Sequence, residues 1–364
     1  MRSESVRSEE AIRALLAGLR DPHTGRSLGE DGSLKGVGIA GERVLVDIVL
    51  AYPAAGWRQA LMEEVRSLLR ERLGLSEVTV SVAHRIHAHE VQAGLTPLPE
   101  VKNILAVASG KGGVGKSAIA VNLALALAAE GARAGVLDAD LYGPSLPTMT
   151  GTIGPPGTTP ERRILPKRAH GLELMSIGYL LGEDAPVIWR GPMATQALQQ
   201  LLTETAWEGL DYLVIDLPPG TGDIQLTLCQ RVPLSGAVIV TTPQDLSLVD
   251  AQRALKMFEK VAVPVLGVVE NMSLYRCPHC GHEEAIFGTG AGERIAARYG
   301  VPLLGRLPLD PRIRADADGG LPTVAADPES EHSLAFRAIA RKAAAQLSLR
   351  ARSRALSMPR IVIE

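Results

Sequence analysis

Asn103-Ile104-Leu105-Ala106-Val107-Ala108-Ser109-Gly110-Lys111-Gly112-Gly113-Val114-Gly115-Lys116-Ser117 is the stretch that decides the fold. Its first seven residues are an apolar run of the length of a buried strand. The next eight fit G-x-x-x-x-G-K-[ST], and residues 118–130 continue as an apolar helix. Strand, glycine loop and helix together predict a P-loop. Glycines let successive backbone N–H groups turn toward a phosphate, and the positive end of the helix faces the same anion. In that geometry Gly110, Gly112, Gly113, Val114 and Gly115 line the phosphates. Lys116 reaches the β- and γ-phosphates, and the Ser117 hydroxyl holds Mg²⁺.

Composition sets the frame around this loop. The 364 residues suffice for two domains with at least one large core. Lys+Arg 38 against Asp+Glu 40 leaves the chain nearly neutral, which argues against a bulk nucleic-acid binder. No apolar run is long enough to cross a bilayer, and the first residues hold no apolar signal core, so a cytoplasmic protein without membrane contact is expected. Only Cys229, Cys277 and Cys280 occur. In a reducing compartment a C-x-x-C pair points to metal or redox work more than to a structural disulfide.

Residues 1–88 read as a small α+β unit. Helical spacing covers 9–19 and 56–73, and alternating strands cover 43–51 and 77–82. Residues 89–101, with Pro97 and Pro99, read as a linker. Strands then alternate with helices through 102–349. Strands are expected at 134–137, 172–177, 212–216, 236–241, 263–270 and 302–307. Helices are expected at 191–205, 247–261, 292–299 and 330–349, with an irregular excursion at 150–170. This order implies an α/β fold, a doubly wound mostly parallel sheet with ligands at the carboxyl ends of its strands. Residues 350–364 read as a tail, where Pro359 interrupts any amphipathic helix.

Lys111 adds a second lysine to the loop. K-G-G-V-G-K-S is the deviant Walker A pattern and resembles the dimeric ATPases that include MinD, ParA, the nitrogenase iron protein and the Mrp-type (ApbC-like) iron–sulfur carriers. That resemblance implies that Lys111 crosses a homodimer interface and touches the partner's nucleotide.

Further motifs fall at strand ends, the first of them on a strand expected beside the P-loop strand. Asp138-Ala139-Asp140-Leu141-Tyr142-Gly143-Pro144-Ser145 is similar to switch I of Mrp-type carriers, which implies that Asp140 positions the attacking water. Asp138 would act through the Mg²⁺ shell. A helix-capping role is the alternative for both. Asp216, after four apolar residues, has the Walker B pattern and would hold Mg²⁺. Asp216-Leu217-Pro218-Pro219-Gly220-Thr221-Gly222-Asp223 resembles the Mrp-type switch II, with Gly220 offering an N–H to the γ-phosphate. Asn271, after a strand, matches the adenine-binding asparagine of the family; a turn asparagine is the alternative.

Cys277-Pro278-His279-Cys280 lies between a strand and a helix. Two cysteines cannot complete a four-thiolate site, but two copies on a symmetry axis can. From the residues alone the pair admits four readings. These are a bridging cluster, zinc (bridging, or local with His279 and His282), a redox disulfide, and a metal-free knuckle. Resemblance to Mrp-type carriers implies a 4Fe–4S cluster bridging a homodimer. Cys229, among apolar residues, reads as core.

The N-terminal unit is similar to the iron–sulfur-assembly domain that often precedes such ATPases. Members commonly carry a cysteine in the turn that here reads Tyr52-Pro53-Ala54-Ala55-Gly56, so a docking or regulatory role is expected. The whole is read as an ATP-hydrolysing iron–sulfur cluster carrier, with apo iron–sulfur proteins and a cluster donor as partners. A MinD/ParA-like positioning or partition switch without a cluster is the alternative. An electron donor like the nitrogenase iron protein is a further one.

Overall fold

The computed structural model of the protein describes residues 8–41, 43–141, 143–180 and 191–353. In chain order the elements are α1 (Glu9–Ala17), β1 (Leu34–Ala40), β2 (Arg43–Leu50), α2 (Ala55–Leu73), β3 (Val78–His84), β4 (Val101–Ser109), α3 (Lys116–Ala129), β5 (Ala134–Asp138), α4 (Leu146–Met149), β6 (Lys167–Ala169), β7 (Leu172–Ser176), α5 (Gly191–Glu204), β8 (Leu210–Asp216), α6 (Asp223–Arg231), β9 (Gly236–Thr241), α7 (Asp245–Lys260), β10 (Val265–Glu270), β11 (Tyr275–Arg276), β12 (Glu283–Glu284), α8 (Ala291–Tyr299), β13 (Leu303–Arg306), α9 (Pro311–Asp318), α10 (Thr323–Ala326) and α11 (Glu331–Ser348).

Eight strands form one sheet in the order β13-β10-β9-β4-β8-β5-β7-β6. All neighbours run parallel except β6 and β7. β8 and β9 are buried along their whole length, and β4 nearly so. Strands covered on both faces have no wet side, which is why they read as continuous apolar runs. The sheet grows from β4 in both directions, so the crevice at the carboxyl ends of β4, β8 and β9 is the topological switch point where ligands bind. The doubly wound, mostly parallel sheet expected from the sequence is present.

Several features differ from the sequence reading. The strand carrying Asp138 was expected beside the P-loop strand, but β8 lies between β4 and β5. This seats Asp138 directly opposite Asp216 across the β5–β8 pair. The excursion at 150–170 ends in β6, an antiparallel edge strand. β1 gives the N-terminal unit a third strand, antiparallel to β2, while β2 and β3 run parallel. Gly36 and Gly38 break the alternation that would have announced β1. Tyr142, and the tail from residue 354 onward, lie outside the described residues.

The segment between the two sheets is tied down. His89 is buried, and its N–H and Nδ1 both meet Asn103 Oδ1, at 3.1 and 2.9 Å. Gln92 donates to the carbonyls of Cys229 and Val232 and accepts from Leu234 N–H. Ser353 N–H donates to Ala88 O, and Glu90 N–H to Ala351 O, so residues 351–353 pair with this segment.

The N-terminal unit meets the large sheet at the far end of α3. Glu130, fully buried, accepts from Gly56 N–H at 2.8 Å, Arg337 Nε at 2.8 Å and Arg341 Nη1 at 2.7 Å. Its carbonyl accepts from Ala55 N–H. A Cβ on Gly56 would lie 2.6 Å from the Arg337 guanidinium, which would have to shift to admit it. The turn that lacks a cysteine is therefore the seam between the two units.

Candidate nucleotide loop and cysteine hairpin

The loop from Gly110 to Gly115 leaves β4 and feeds α3. Gly113 and Gly115 have φ of +78° and +80°, a left-handed conformation that side chains rarely adopt. Gly110 is required for another reason: a Cβ there would meet the Asp250 backbone at 2.1 Å. α3 is apolar all round because the sheet lies on one side and α10 and α11 on another. Its one polar interior residue, Asn122, is satisfied by donating to Ala118 O and accepting from Val324 N–H.

The first turn of α3 presents Lys116 and Ser117 to the ends of β5 and β8. Lys116 Nζ lies 2.5 Å from Asp216 Oδ1 and 3.4 Å from Ser117 Oγ. Lys116 and Asp216 are both buried. Burial pushes the Asp216 carboxyl up, against the opposing pull of the Lys116 ammonium. Asp138 is buried too, and burial with Asp216 opposite raises its carboxyl to about 7. Its Oδ1 accepts from Asp140 N–H, and its Oδ2 from Ser145 N–H, Leu146 N–H and Ser176 Oγ. Asp138 thus shapes the loop that carries Asp140.

The remaining site residues close around the loop. Gly220, at φ +97°, donates its N–H to Ser109 O at 3.0 Å, which docks the Asp216–Asp223 segment on the end of β4. Lys111 Nζ donates to Gln244 Oε1 at 3.1 Å, so the second lysine is held by its own chain. Asn271 Nδ2 donates to Val114 O at 2.8 Å, which seats Asn271 against the loop itself. The structure therefore gathers residues 110–117, Asp138, Asp140, Asp216, Gly220 and Asn271 at one end of the sheet. Gln244 was not singled out from the sequence. Its place just past the end of β9, where the other motifs also sit, is the signal that could have found it.

Cys277 and Cys280 lie elsewhere, in a hairpin between β10 and α8. β11 and β12 pair antiparallel around them. Cys277 N–H donates to His282 O, and Gly281 N–H donates to Cys277 O. Gly281 takes φ +71° to close the turn. The Cys280 and His279 N–H groups, with the Cys280 side chain, point to Cys277 Sγ and hold its thiol below the usual range. Cys277 is half-buried and Cys280 exposed. Among the described residues no three His, Cys, Asp or Glu side chains gather as metal ligands. Cys229 is buried, and burial pushes its thiol up to about 12. No helix among the described residues is long and apolar enough to cross a membrane.

Comparison with known proteins adds to this geometry. Residues 100–344 match the family model of the NUBPL iron-transfer P-loop NTPases, and residues 9–82 match that of an iron–sulfur cluster assembly protein. An iron–sulfur cluster carrier protein of Haemophilus influenzae is 51% identical over 316 residues, covering 86% of this chain and 85% of its own. That of Escherichia coli K12 is 48% identical over 347 residues, 94% of each chain. Among solved structures, a nucleotide-binding protein of Archaeoglobus fulgidus in complex with ADP is 37% identical. It superposes with a TM-score of 0.54 over 61% of this chain and 87% of that one. The cell-division ATPase MinD of Pyrococcus furiosus, at 24% identity and a TM-score of 0.52, shares the fold over 66% of this chain and 97% of its own.

Proposed function

The chain belongs to the iron–sulfur cluster carriers of the iron-transfer P-loop NTPases, and on that premise we propose that it carries a 4Fe–4S cluster between two copies of itself. Cys277 and Cys280 of each chain would supply the four thiolates. The observation that carries this reading is the hairpin. One thiol is pre-disposed to the thiolate, the other is exposed, and among the described residues no third His, Cys, Asp or Glu side chain gathers with them as a metal ligand. Four thiolates suit a cluster, and an exposed cluster suits transfer to apo-proteins. A cluster donor would fill the site in the same way.

Nucleotide binding and hydrolysis come with the family, and we read the nucleotide as ATP. Gly110–Ser117 would cradle its phosphates, and Asn271 would read the adenine edge with the part of its amide not given to Val114. Asp138, Asp140 and Asp216 gather near one ammonium, Lys116; burial raises Asp138 and Asp216, and a divalent cation bound there would favour their charged forms. Ser117 and Asp216 fit Mg²⁺ as hard oxygen donors, and Asp138 would reach it through water. Bound there, Mg²⁺ would neutralise charge developing on the phosphate oxygens. Lys116 would exchange Asp216 for the phosphates. Gly220 would leave Ser109 O to offer its N–H to the γ-phosphate. Asp140 would orient the attacking water and accept its proton. Lys111, freed from Gln244, would reach the partner chain's nucleotide. Nucleotide state would thereby alter how the cluster is held.

The test is reconstitution with iron and sulfide under anaerobic conditions. About four irons per dimer with a broad visible band are expected, both absent in Cys277→Ala. Zinc without colour would refute the cargo. Equal transfer rates with ATP, ADP and no nucleotide would refute the coupling.

A further inference from the structure

The cysteine hairpin is tied to the nucleotide loop at both of its ends. It begins at Asn271, whose Nδ2 donates to Val114 O at 2.8 Å. The packing is tight, since a Cβ on Gly115 would lie 2.3 Å from that same Nδ2. Cys277 follows six residues later on the same strand of chain. Between them Met272 has φ +56°, a left-handed conformation that a side-chain-bearing residue holds only when its surroundings impose it. Ser273 then fastens the chain again, donating both N–H and Oγ to Leu307 O. The hairpin ends at Thr289, whose carbonyl accepts from Arg294 Nη1 at 3.1 Å. The other arm of Arg294 meets Asp245 Oδ1 at 2.9 Å. Asp245 is next to Gln244, the residue holding Lys111.

The start of the hairpin is therefore bonded to one residue of the P-loop, and its end reaches another through Arg294 and α7. Neither tie involves an iron ligand, and the start is buried while the end is exposed. We infer that Asn271 is a positioning residue that transmits the state of the phosphate loop to Cys277, with Arg294 as the second tie. A phosphate that turns the Val114 peptide toward itself moves the carbonyl that Asn271 holds. The left-handed Met272 is where the chain takes up that movement. This inference rests on the coupling proposed above and names the residues that carry it.

The experiment reads thiol chemistry in metal-free protein, so the cargo reading stands or falls separately on iron content. Alkylation of Cys277 by iodoacetamide is followed by peptide mass, without nucleotide and with saturating Mg-ADP or a non-hydrolysable ATP analogue. In the natural chain nucleotide is expected to change the rate about fivefold or more, the low end of common coupling between linked sites. Asn271→Asp keeps the shape but turns a carboxylate on the Val114 carbonyl. At nucleotide levels that saturate this variant, the rates with and without nucleotide should coincide. A nucleotide effect that persists in Asn271→Asp overturns the inference, because shielding by a partner chain would survive the substitution. So does the lack of any effect in the natural chain. Should Asn271→Asp fail to fold or to bind nucleotide, Arg294→Ala, at a half-exposed residue, decides. A reduced effect supports the link, and an effect equal to the natural chain's overturns it.

Discussion

The phosphate loop and the cysteine hairpin lie a few residues apart through Asn271, yet they are built on opposite principles. At the loop, the charged groups are buried and partnered: Lys116 on Asp216, Asp138 on four donors. At the hairpin, the two thiols stand at the surface with backbone N–H groups around only one of them. A buried site must satisfy its own polar groups before a ligand arrives, because leaving them unpaired is costly. An exposed pair is under no such demand and can wait for ligands from elsewhere. On the function proposed above, the loop would be complete within one chain except for the lysine that a partner supplies, and the hairpin would be half of a site.

The strongest way to break this contrast is at the hairpin. Replacing Cys277 or Cys280 by Ala should abolish bound iron and the visible band in reconstituted protein, while nucleotide still binds, its affinity by titration shifted by no more than the coupling between the two sites. At the loop, Lys116→Ala should slow nucleotide hydrolysis by about 10²–10³-fold, the usual effect of removing one positioned charge donor. Its iron content after reconstitution should match that of the natural chain. If either variant lost both properties, the two regions would not be separate sites.

A third change sharpens the contrast by touching neither region. Glu130→Ala leaves Arg341 in the seam without its carboxylate and Arg337 with only the exposed Glu329. Loss of one partner from such a buried group should cost about 3–5 kcal/mol in denaturant unfolding. The smallest effect expected is one of order rather than of magnitude. Under native conditions near pH 8 an alkylating reagent should modify Cys277 first, then Cys280, and leave Cys229 untouched until the chain unfolds. The signs follow from the thiols: that of Cys277 is lowered by the N–H groups of Cys280 and His279, and that of Cys229 is raised to about 12 by burial. Peptide mass analysis over time checks it.

The loop was legible because its chemistry is contiguous. Glycines, Lys116 and Ser117 sit within eight residues, and the flanking strand and helix announce themselves by unbroken apolar runs. Buried strands β8 and β9 were legible for the same reason. What depends on distant segments was not. Nothing in the Ala134–Asp138 run says that β8 will lie between it and β4, because parallel strand order is set by helix crossovers and not by local periodicity. β1 was hidden by two glycines. The seam at Glu130 joins residues from three distant segments, and in the sequence Glu130 looks only like the polar end of a helix. Asn271 read as an adenine contact or a turn residue; its bond to Val114 spans 157 positions and has no local signal.

The claim on which the account rests is that the hairpin is half of a shared site. Native mass measurement of anaerobically reconstituted protein tests it most directly. One 4Fe–4S unit on two chains, with apo-protein left as the form without it, is the result expected. A cluster or a zinc ion held by a single chain would contradict it.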